Sequence, residues 1–213
     1  MRRQKFEEPR KRKPKETIKC FESTIIGGAY KGKKILIPDL PTTRSSKSIL
    51  RESLFNTLQF DIIDKNFVEV FAGSGSVGLE ALSRGAGHGY FIERNKTVHA
   101  LLKANIQQLD GTLSTTAILG DSFEEFPAVY AEIKRQETKT YFYFDPPFST
   151  REGMEDIYDK TMALIEMIEP TYCEMVIVEH MSSLKLPEAL GQLKLHKKKK
   201  FGKSSLSYYL PSV

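Results

Sequence analysis

The sequence predicts an α/β fold built on a mainly parallel β-sheet, and three observations support this. From Phe67 onward, short apolar runs alternate with longer amphipathic runs, so that strand and helix alternate five times. A glycine-rich segment directly follows the first of these strands. Only residues 200–205 separate the last two runs, so a hairpin rather than a helical crossover closes the sheet. Right-handed crossovers in such a sheet leave a ligand crevice at the carboxyl ends of its strands.

The segment before this alternation predicts a small N-terminal extension. Two Ile-rich runs, 23–26 and 34–37, flank a basic, Gly-rich turn and are typical of a β-hairpin. Pro38 and Pro41 then interrupt the chain. A helix follows, with Ser48 or one of its neighbours as its cap.

The alternating region supplies the elements of the main domain. Its predicted strands are seven: 67–71, 89–92, 115–119, 141–144, 175–178, 194–199 and 206–210. Its predicted helices are 77–84, 96–107, 123–135, 155–168 and 182–190. We therefore expect three parts: a basic, flexible tail over 1–22, the hairpin and helix extension over 23–64, and the main domain over 65–213.

Composition excludes several classes of protein. With 213 residues, of which 40% are hydrophobic, the chain can bury a core without a disulfide or metal. Cys20, Cys173 and the four histidines show no metal-ligand spacing, which predicts a metal-free protein of the reducing cytoplasm. No apolar run approaches the roughly 18–20 residues of a membrane span, and no signal-peptide pattern follows the basic N-terminus. We therefore expect no membrane partner.

The charge is distributed unevenly along the chain. Residues 1–19 contain nine Lys/Arg and three Glu, and residues 194–203 contain six Lys and no acid. The remainder carries 17 basic against 24 acidic residues. Basic segments of this kind are attracted to polyanions through counterion release, which favours a nucleic-acid partner. The alternative is that the tail only aids solubility.

The strongest cofactor signal is a G-x-G-x-x-G segment at the end of the first core strand. Gly73, Gly75 and Gly78 allow a sharp turn and a close approach of the backbone to a ligand at a helix N-terminus. Glu93 follows the second strand, at the distance expected for a carboxylate that accepts hydrogen bonds from a ribose. The pattern fits NAD or S-adenosylmethionine equally, and glycines that serve packing alone are the third interpretation.

A second motif, Asp145-Pro146-Pro147-Phe148, follows the aromatic strand 141–144. The prolines fix the backbone, so the Asp145 carboxylate and the Pro146 carbonyl are held as two acceptors at the mouth of the crevice. Phe148 offers a flat face for a base removed from its stack. A rigid turn with an exposed Phe is the structural alternative.

Two acceptors that face one amine suit methyl transfer to an exocyclic nitrogen. Accepting the N–H hydrogens opposes delocalisation of the lone pair into the ring and aims the nitrogen at a sulfonium methyl. The leaving proton passes to Asp145 or to water. Asp121 and Ser122 follow the third strand, where they serve as an adenine contact, a helix cap or both.

Taken together, these motifs resemble the RsmD family of bacterial 16S ribosomal RNA methyltransferases, which methylate guanine 966 at N2 with S-adenosylmethionine. The resemblance covers about residues 23–210. It is carried by the stretches TIIGG at 24–28, KGKK at 31–34, RESLFN at 51–56, FAGSG at 71–75, GLEALSRG at 78–85, Glu93, DPPF at 145–148, Gly202 and SYY at 207–209.

The resemblance implies a Rossmann-like class I methyltransferase fold, S-adenosylmethionine as cofactor and 16S rRNA in the assembled or assembling small subunit as partner. It places the guanine at Asp145, Pro146, Pro147 and Phe148. It assigns the cofactor to Phe71, Ala72, Gly73, Ser74, Gly75, Gly78, Glu93, Asp121 and Ser122. RNA phosphates are expected at Lys31, Lys33, Lys34, Arg51 and Lys203, although the surface lysines are alternatively only solvated charges. The protein is expected to be a monomer.

The chain departs from this family in two places. The family often has Arg-Pro-Thr and a second Arg before its Arg-Glu pair, where this chain has residues 44–50 of different sequence. Its hairpin is rich in lysine rather than arginine, which keeps charge but loses bidentate phosphate geometry. Three alternatives to the guanine-N2 activity stay open: an adenine-N6 methyltransferase, an NAD-dependent oxidoreductase and a noncatalytic RNA-binding factor.

Overall fold

Residues 19–39, 44–59, 61–147 and 156–212 are described in a computed structural model, with the side chains of 44–46 left out. Most of the predicted basic tail, together with Pro41 and Phe148, lies outside these residues. Within the described ranges, none of the helices is long and apolar enough to cross a bilayer.

Strands and helices occur in the predicted order up to β7. The strands are β1 (Cys20–Thr24), β2 (Lys34–Pro38), β3 (Asn66–Glu69), β4 (His88–Glu93), β5 (Thr115–Leu119), β6 (Thr140–Phe144), β7 (Cys173–Met181), β8 (Ala189–Leu190), β9 (Leu193–Phe201) and β10 (Ser204–Pro211). The helices are α1 (Arg44–Leu58), α2 (Ser76–Ser83), α3 (Lys96–Asp110), α4 (Ser122–Gln136) and α5 (Ile157–Glu166). A short 3₁₀ turn precedes β7.

The eight strands from β3 to β10 form one sheet in the order β5-β4-β3-β6-β7-β10-β9-β8. The first five of these, from β5 to β7, pair in parallel, and β10 and β9 then close the sheet as an antiparallel hairpin. The order reverses between β3 and β6, which places the crevice of a doubly wound sheet at that point. The predicted Rossmann-like α/β fold, with its closing hairpin, is confirmed.

Apolar side chains cover both faces of the sheet because successive residues of each strand point to opposite sides. On one face, Phe67 and Tyr143 pack in a cluster with Phe55 of α1 and Leu79 of α2. On the other face, residues of β3, β6 and β7 pack with α4 and α5. The central strands of the sheet are therefore buried between two helical layers, which leaves the ends of these strands for a site.

The N-terminal extension, formed by β1, β2 and α1, is fixed to α2 by a buried carboxylate. Glu80 is fully buried and accepts hydrogen bonds from the backbone N–H groups of Ile26 (2.7 Å) and Gly27 (2.8 Å). The Nε of Arg84 donates to the same carboxylate at 2.8 Å, and Arg51 Nε lies 4.0 Å from it. We call this group of residues the Glu80 latch.

The hairpin approaches α2 closely at Gly28. This residue has φ +79, and a Cβ there would lie 1.8 Å from the carbonyl oxygen of Ser83. The adjacent Ala29 N–H donates to that oxygen at 2.7 Å, and the Ser83 hydroxyl donates to the Gly27 carbonyl. Glycine is thus required where the extension docks on the main domain.

One predicted element is wrong. Residues 182–190 were expected to be a helix, but they form a turn followed by β8, which adds an eighth strand beside β9. Pro187 explains this outcome, since proline lacks an N–H and restricts the preceding residue to extended conformations. Its carbonyl instead accepts a hydrogen bond from the Tyr209 hydroxyl at 2.8 Å. The hairpin also begins at Cys20, earlier than the predicted residue 23.

Candidate active site

Four loops that carry predicted site residues meet at one edge of the sheet. Strands β3 to β6 are parallel, so the segments that follow them leave from the same edge. These segments contain the glycine loop after β3, Glu93 at the end of β4, Asp121 after β5 and Asp145 after β6. The structure therefore brings together the residues predicted for the cofactor and for the acceptor amine.

Two carboxylates hold the glycine loop in place. Glu93 accepts from the backbone N–H groups of Gly73 (2.9 Å) and Asn95 (2.6 Å). Glu69, which is buried at the end of β3, accepts from Val77 (3.3 Å) and Gly78 (2.8 Å) at the start of α2. The first N–H groups of a helix have no partner within the helix, so Glu69 supplies the acceptor that they lack.

The space around each glycine shows where the loop could accept a ligand. Gly75 has φ +80, and a Cβ there would meet Leu102 at 2.4 Å, so the position is closed by packing. A Cβ at Gly73 would meet nothing within 4 Å. Open space above Gly73, next to the Glu93 carboxylate, fits a nucleoside cofactor whose ribose approaches the backbone.

Asp121 and Ser122 have separate roles in the structure. The Asp121 side chain caps α4 by accepting from the Phe123 N–H at 2.9 Å, and its other oxygen lies 3.7 Å from Arg94. Asp121 is partly exposed and lies at the edge of the sheet where the predicted site residues meet. Ser122 is buried and donates its hydroxyl to the Val70 carbonyl at 2.5 Å, so its side chain packs against β3, and its contact with the cofactor stays a prediction.

Asp145 is paired with a lysine from the N-terminal extension. Its Oδ2 lies 2.9 Å from Nζ of Lys47 on α1, and the same Nζ lies 3.9 Å from Oε1 of Glu179 on β7. Tyr143, two residues before Asp145, donates its hydroxyl to Oε2 of Glu179 at 2.6 Å. One cation thus faces two carboxylates at the end of β6 and β7.

The electrostatics of this region follow from burial and crowding of acids. Burial raises the pKa of Glu69 to about 8, against the opposing effect of its bonds from Gly78 and Val77. Burial, followed by the charge of Asp145, raises the pKa of Glu179 to about 7. The charge of Asp145 raises the pKa of Lys47, so this ammonium stays protonated. Crowding of carboxylates beside one fixed cation is typical of catalytic and binding sites.

The predicted acceptor motif is described only in part. Asp145, Pro146 and Pro147 lie at the edge of the sheet, with Asp145 and Pro147 partly exposed and Pro146 buried, whereas Phe148 lies outside the described residues. In the cofactor set, Phe71 and Gly73 are partly exposed, and Ala72, Ser74, Gly75 and Gly78 are buried in the loop. Phe71 packs edge-on against Phe123 at 5.6 Å between ring centroids.

The predicted phosphate contacts divide into exposed and buried residues. Lys31, Lys33, Lys34 and Lys203 are exposed, although Lys33 donates to the Leu109 carbonyl and Lys34 pairs with Glu22. Arg51 is only 5% exposed. Its guanidinium donates to the Thr24 carbonyl at 2.7 Å. We therefore correct the prediction for Arg51, which joins the hairpin to α1 instead of facing phosphates.

Sequence reasoning missed four side chains of this site: Lys47, Glu69, Tyr143 and Glu179. An acidic residue at the end of a buried strand is a visible signal for Glu69 and Glu179, because parallel strands end at one edge. Lys47 had no such signal, since its position depends on how α1 packs. Among the described residues, no cluster of three His, Cys, Asp or Glu side chains fits a metal ion.

Comparison with known proteins agrees with this geometry. A family model described as conserved hypothetical protein 95 matches residues 23–210. A curated relative, ribosomal RNA small subunit methyltransferase D of Escherichia coli, is 32% identical over 87% of this chain and 88% of its own length. The chain belongs to the RsmD family.

Solved structures agree with this family assignment. The RsmD-family chain is 28% identical to an Escherichia coli protein assigned as a methyltransferase, with a TM-score of 0.69 over 90% of this chain and 99% of the other. A Haemophilus influenzae protein assigned as a methylase is 26% identical, with a TM-score of 0.65 over 91% and 100% of the two chains. The fold of these two proteins therefore extends over nearly the whole of this chain.

We expect Glu93→Ala to weaken S-adenosylmethionine binding by roughly 10-fold to 100-fold, because a charged hydrogen-bond acceptor contributes about 1.5–3 kcal/mol. The substitution also frees the Gly73 N–H that fixes the loop. Isothermal titration with S-adenosylhomocysteine measures the change. Glu124→Ala, an exposed carboxylate in the first turn of α4, is the matched control. Equal affinities for the two variants would contradict the assigned cofactor site.

Proposed function

We propose that this protein transfers the methyl group of S-adenosylmethionine to the N2 amine of a guanine in the 16S rRNA of the small ribosomal subunit. The position expected from the family resemblance is guanine 966, in the assembled or assembling subunit. The observation that carries the proposal is Asp145, held beside the glycine loop at one sheet edge in a member of the RsmD family. We expect the protein to act in the cytoplasm as a monomer.

The residues of the glycine loop would hold the cofactor. Gly73 leaves space for close approach of the backbone, Glu93 offers a carboxylate to the ribose, and Asp121 offers one to the adenine amine. When bound, S-adenosylmethionine supplies an electrophilic methyl group. An NAD-dependent oxidoreductase would use the same loop but would leave the Asp145 motif without a role.

Asp145 and Pro146 bind the amine that receives the methyl group. The carboxylate of Asp145 and the carbonyl of Pro146 accept hydrogen bonds from the two amine hydrogens, which turns the nitrogen lone pair out of conjugation. The Asp145 side chain is partly exposed, and a base that binds it competes with the Lys47 ammonium. Its negative charge also stabilises the cationic amine that forms as the methyl group is transferred.

Transfer of labelled methyl groups tests this function. We would incubate the protein with labelled S-adenosylmethionine and, in parallel, undermodified small subunits, naked 16S RNA and large subunits. The proposal predicts incorporation into small-subunit RNA and none into large subunits. Preference between subunit and naked RNA identifies the assembled substrate. Cofactor binding without transfer to any of the three substrates would favour a noncatalytic role and contradict the proposal.

We expect deletion of residues 1–19 to weaken RNA binding and to flatten its salt dependence, because nine cations are removed. Removing one cation that neutralises a phosphate reduces the slope of log K against log salt by roughly 0.7–0.9. Filter binding between about 50 and 200 mM salt measures the slope. A full-length variant with those nine residues changed to Gln separates charge from length. If the slope is unchanged in both the deletion and the Gln-substituted protein, the tail does not bind RNA phosphates and its role is in solubility.

A further inference from the structure

Glu179 stands beside Asp145 and takes no part in the chemistry described above. It follows Val178, which pairs with Phe144 in the parallel β6–β7 ladder, so Glu179 within β7 lies at the same level as Asp145, which directly follows β6. Only 2% of Glu179 is exposed. Burial of a charge without full hydrogen bonding costs free energy. A carboxylate buried this deeply beside Asp145 is therefore expected to have a function.

One oxygen of Glu179 has no hydrogen-bond donor among the described residues. Oε2 accepts from the Tyr143 hydroxyl at 2.6 Å, but in the described part of the chain Oε1 accepts no hydrogen bond. The cation nearest to Oε1 is Lys47, whose Nζ is 3.9 Å away, beyond hydrogen-bond distance. An unsatisfied buried oxygen next to a catalytic carboxylate points to a donor that arrives with the substrate.

Lys47 places one nitrogen within hydrogen-bond distance of Asp145 and close to Glu179. Its Nζ lies 2.9 Å from Asp145 and 3.9 Å from Glu179. The Lys47 side chain is 51% exposed, and entry of another donor requires its ammonium to leave this position. In the free protein, this ammonium holds the place of the donor nitrogens that a base would bring.

The Watson–Crick edge of guanine matches this pair of acceptors. Guanine presents N1–H directly beside its N2 amine, so two adjacent nitrogens both donate. Adenine presents a bare N1 beside its N6 amine, and an acceptor facing an acceptor leaves both unpaired. We propose that Glu179 determines specificity for guanine: its Oε1 accepts from N1–H while Asp145 accepts from the N2 amine. This assignment rests on the proposed function.

Glu179 must be ionised to accept a hydrogen bond from the N1–H group of guanine. Burial and then the charge of Asp145 raise its pKa to about 7, while Lys47, Tyr143 and Ser204 lower it. Protonated Glu179 would instead donate to a bare N1. Selectivity is therefore measured at about pH 8.5, where a carboxyl group with this pKa is largely ionised.

A base analogue tests the assignment directly. Small subunits are reconstituted with 16S RNA that carries either guanine or 2-aminopurine at the methylated site. The analogue keeps the 2-amino group and lacks N1–H. We expect the wild-type protein to favour guanine by roughly 10-fold to 100-fold in kcat/KM, which is the fold-change for one hydrogen bond to a charged group. This measurement needs no variant, and equal rates on the two RNAs would overturn the proposal.

The Glu179→Gln variant then assigns the preference to this side chain. Its amide can donate or accept, so we expect the ratio of the two rates to fall to within about threefold of one. Glu174→Gln, a partly exposed residue of the same strand that pairs with Lys65, is the control and keeps the wild-type ratio. Thermal unfolding and cofactor binding establish that both variants fold.

The possible outcomes separate the two proposals. A Glu179→Gln protein that folds, binds cofactor and keeps the wild-type ratio would overturn the role of Glu179 and leave the proposed function intact. Methylation of an adenine at N6 by the wild-type protein would overturn the guanine assignment and the role of Glu179 with it. If the ratio of the rates on guanine and 2-aminopurine RNA falls towards one in Glu179→Gln but not in the control variant, both the proposed function and the role of Glu179 are supported.

Discussion

The Asp145→Ala variant is expected to lose methyl transfer by roughly 100-fold or more while it keeps normal affinity for S-adenosylmethionine. The loss has this size because a positioned acid or base contributes about 10²–10⁴-fold to a rate. Cofactor affinity is retained because Asp145 follows β6, whereas the glycine loop is held by Glu69 and Glu93. Single-turnover transfer to small-subunit RNA and isothermal titration with the cofactor measure the two quantities.

Asp159→Ala is the control for this experiment. Asp159 is an exposed carboxylate on α5, so its removal changes the net charge by the same amount without touching the acceptor edge. We expect its transfer rate to remain near that of the wild-type protein. If Asp145→Ala turned over at a similar rate, the amine would not be held by this carboxylate and the mechanism would be wrong.

The Glu80→Ala variant is expected to show the largest loss of stability. Glu80 is fully buried and receives two backbone N–H groups and the Arg84 guanidinium, all of which lose their acceptor. Breaking a buried, hydrogen-bonded charge pair costs about 3–5 kcal/mol. For a chain of this length, that corresponds to a melting temperature lower by roughly 6–20 °C.

Urea denaturation and thermal melts measure the effect of Glu80→Ala. The control is Glu52→Ala, which removes an exposed carboxylate from the α1 helix and should change stability by less than about 0.5 kcal/mol. Because the Glu80 latch joins the hairpin to α2, we also expect Glu80→Ala to lose protection of the β1–β2 amides from hydrogen exchange. Wild-type stability in Glu80→Ala would show that the extension is held by its apolar contacts alone.

Much of the fold follows from local sequence patterns. Residues 115–119 form a strand with the predicted bounds, and the other core strands differ by a few residues at their ends. Alternating apolar runs specify such elements because both faces of a parallel sheet are buried. The segment 182–190 shows the limit of this reasoning, since its apolar residues suggested a helix that Pro187 prevents.

The candidate site was only half visible in the sequence. Asp145, Glu93 and the glycines belong to short motifs whose chemistry can be inferred from adjacent residues. The contact between Lys47 and Asp145 joins residues 98 positions apart, and the opposition of Glu179 to Asp145 depends on the pairing of β6 with β7. Arg51 shows the reverse error, because a charged residue in a basic extension was expected on the surface and is buried.

The N-terminal extension contributes a positive charge to the site around Asp145. Lys47 lies in the segment where this chain departs from the Arg-Pro-Thr pattern of the family, and its ammonium faces Asp145 and Glu179. The same helix carries Arg51, which bonds the hairpin at Thr24. Docking of the extension on α2 thus positions a cation over the acceptor carboxylates.

The most direct test of the central claim is the identity of the methylated nucleoside. Small subunits from cells lacking the corresponding activity would be methylated in vitro, digested and analysed by mass spectrometry, with the modified position mapped on the 16S RNA. The account predicts N2-methylguanosine at a single guanine, absent when Asp145→Ala replaces the wild-type protein. N6-methyladenosine as the product, or N2-methylguanosine formed equally by Asp145→Ala, would contradict it.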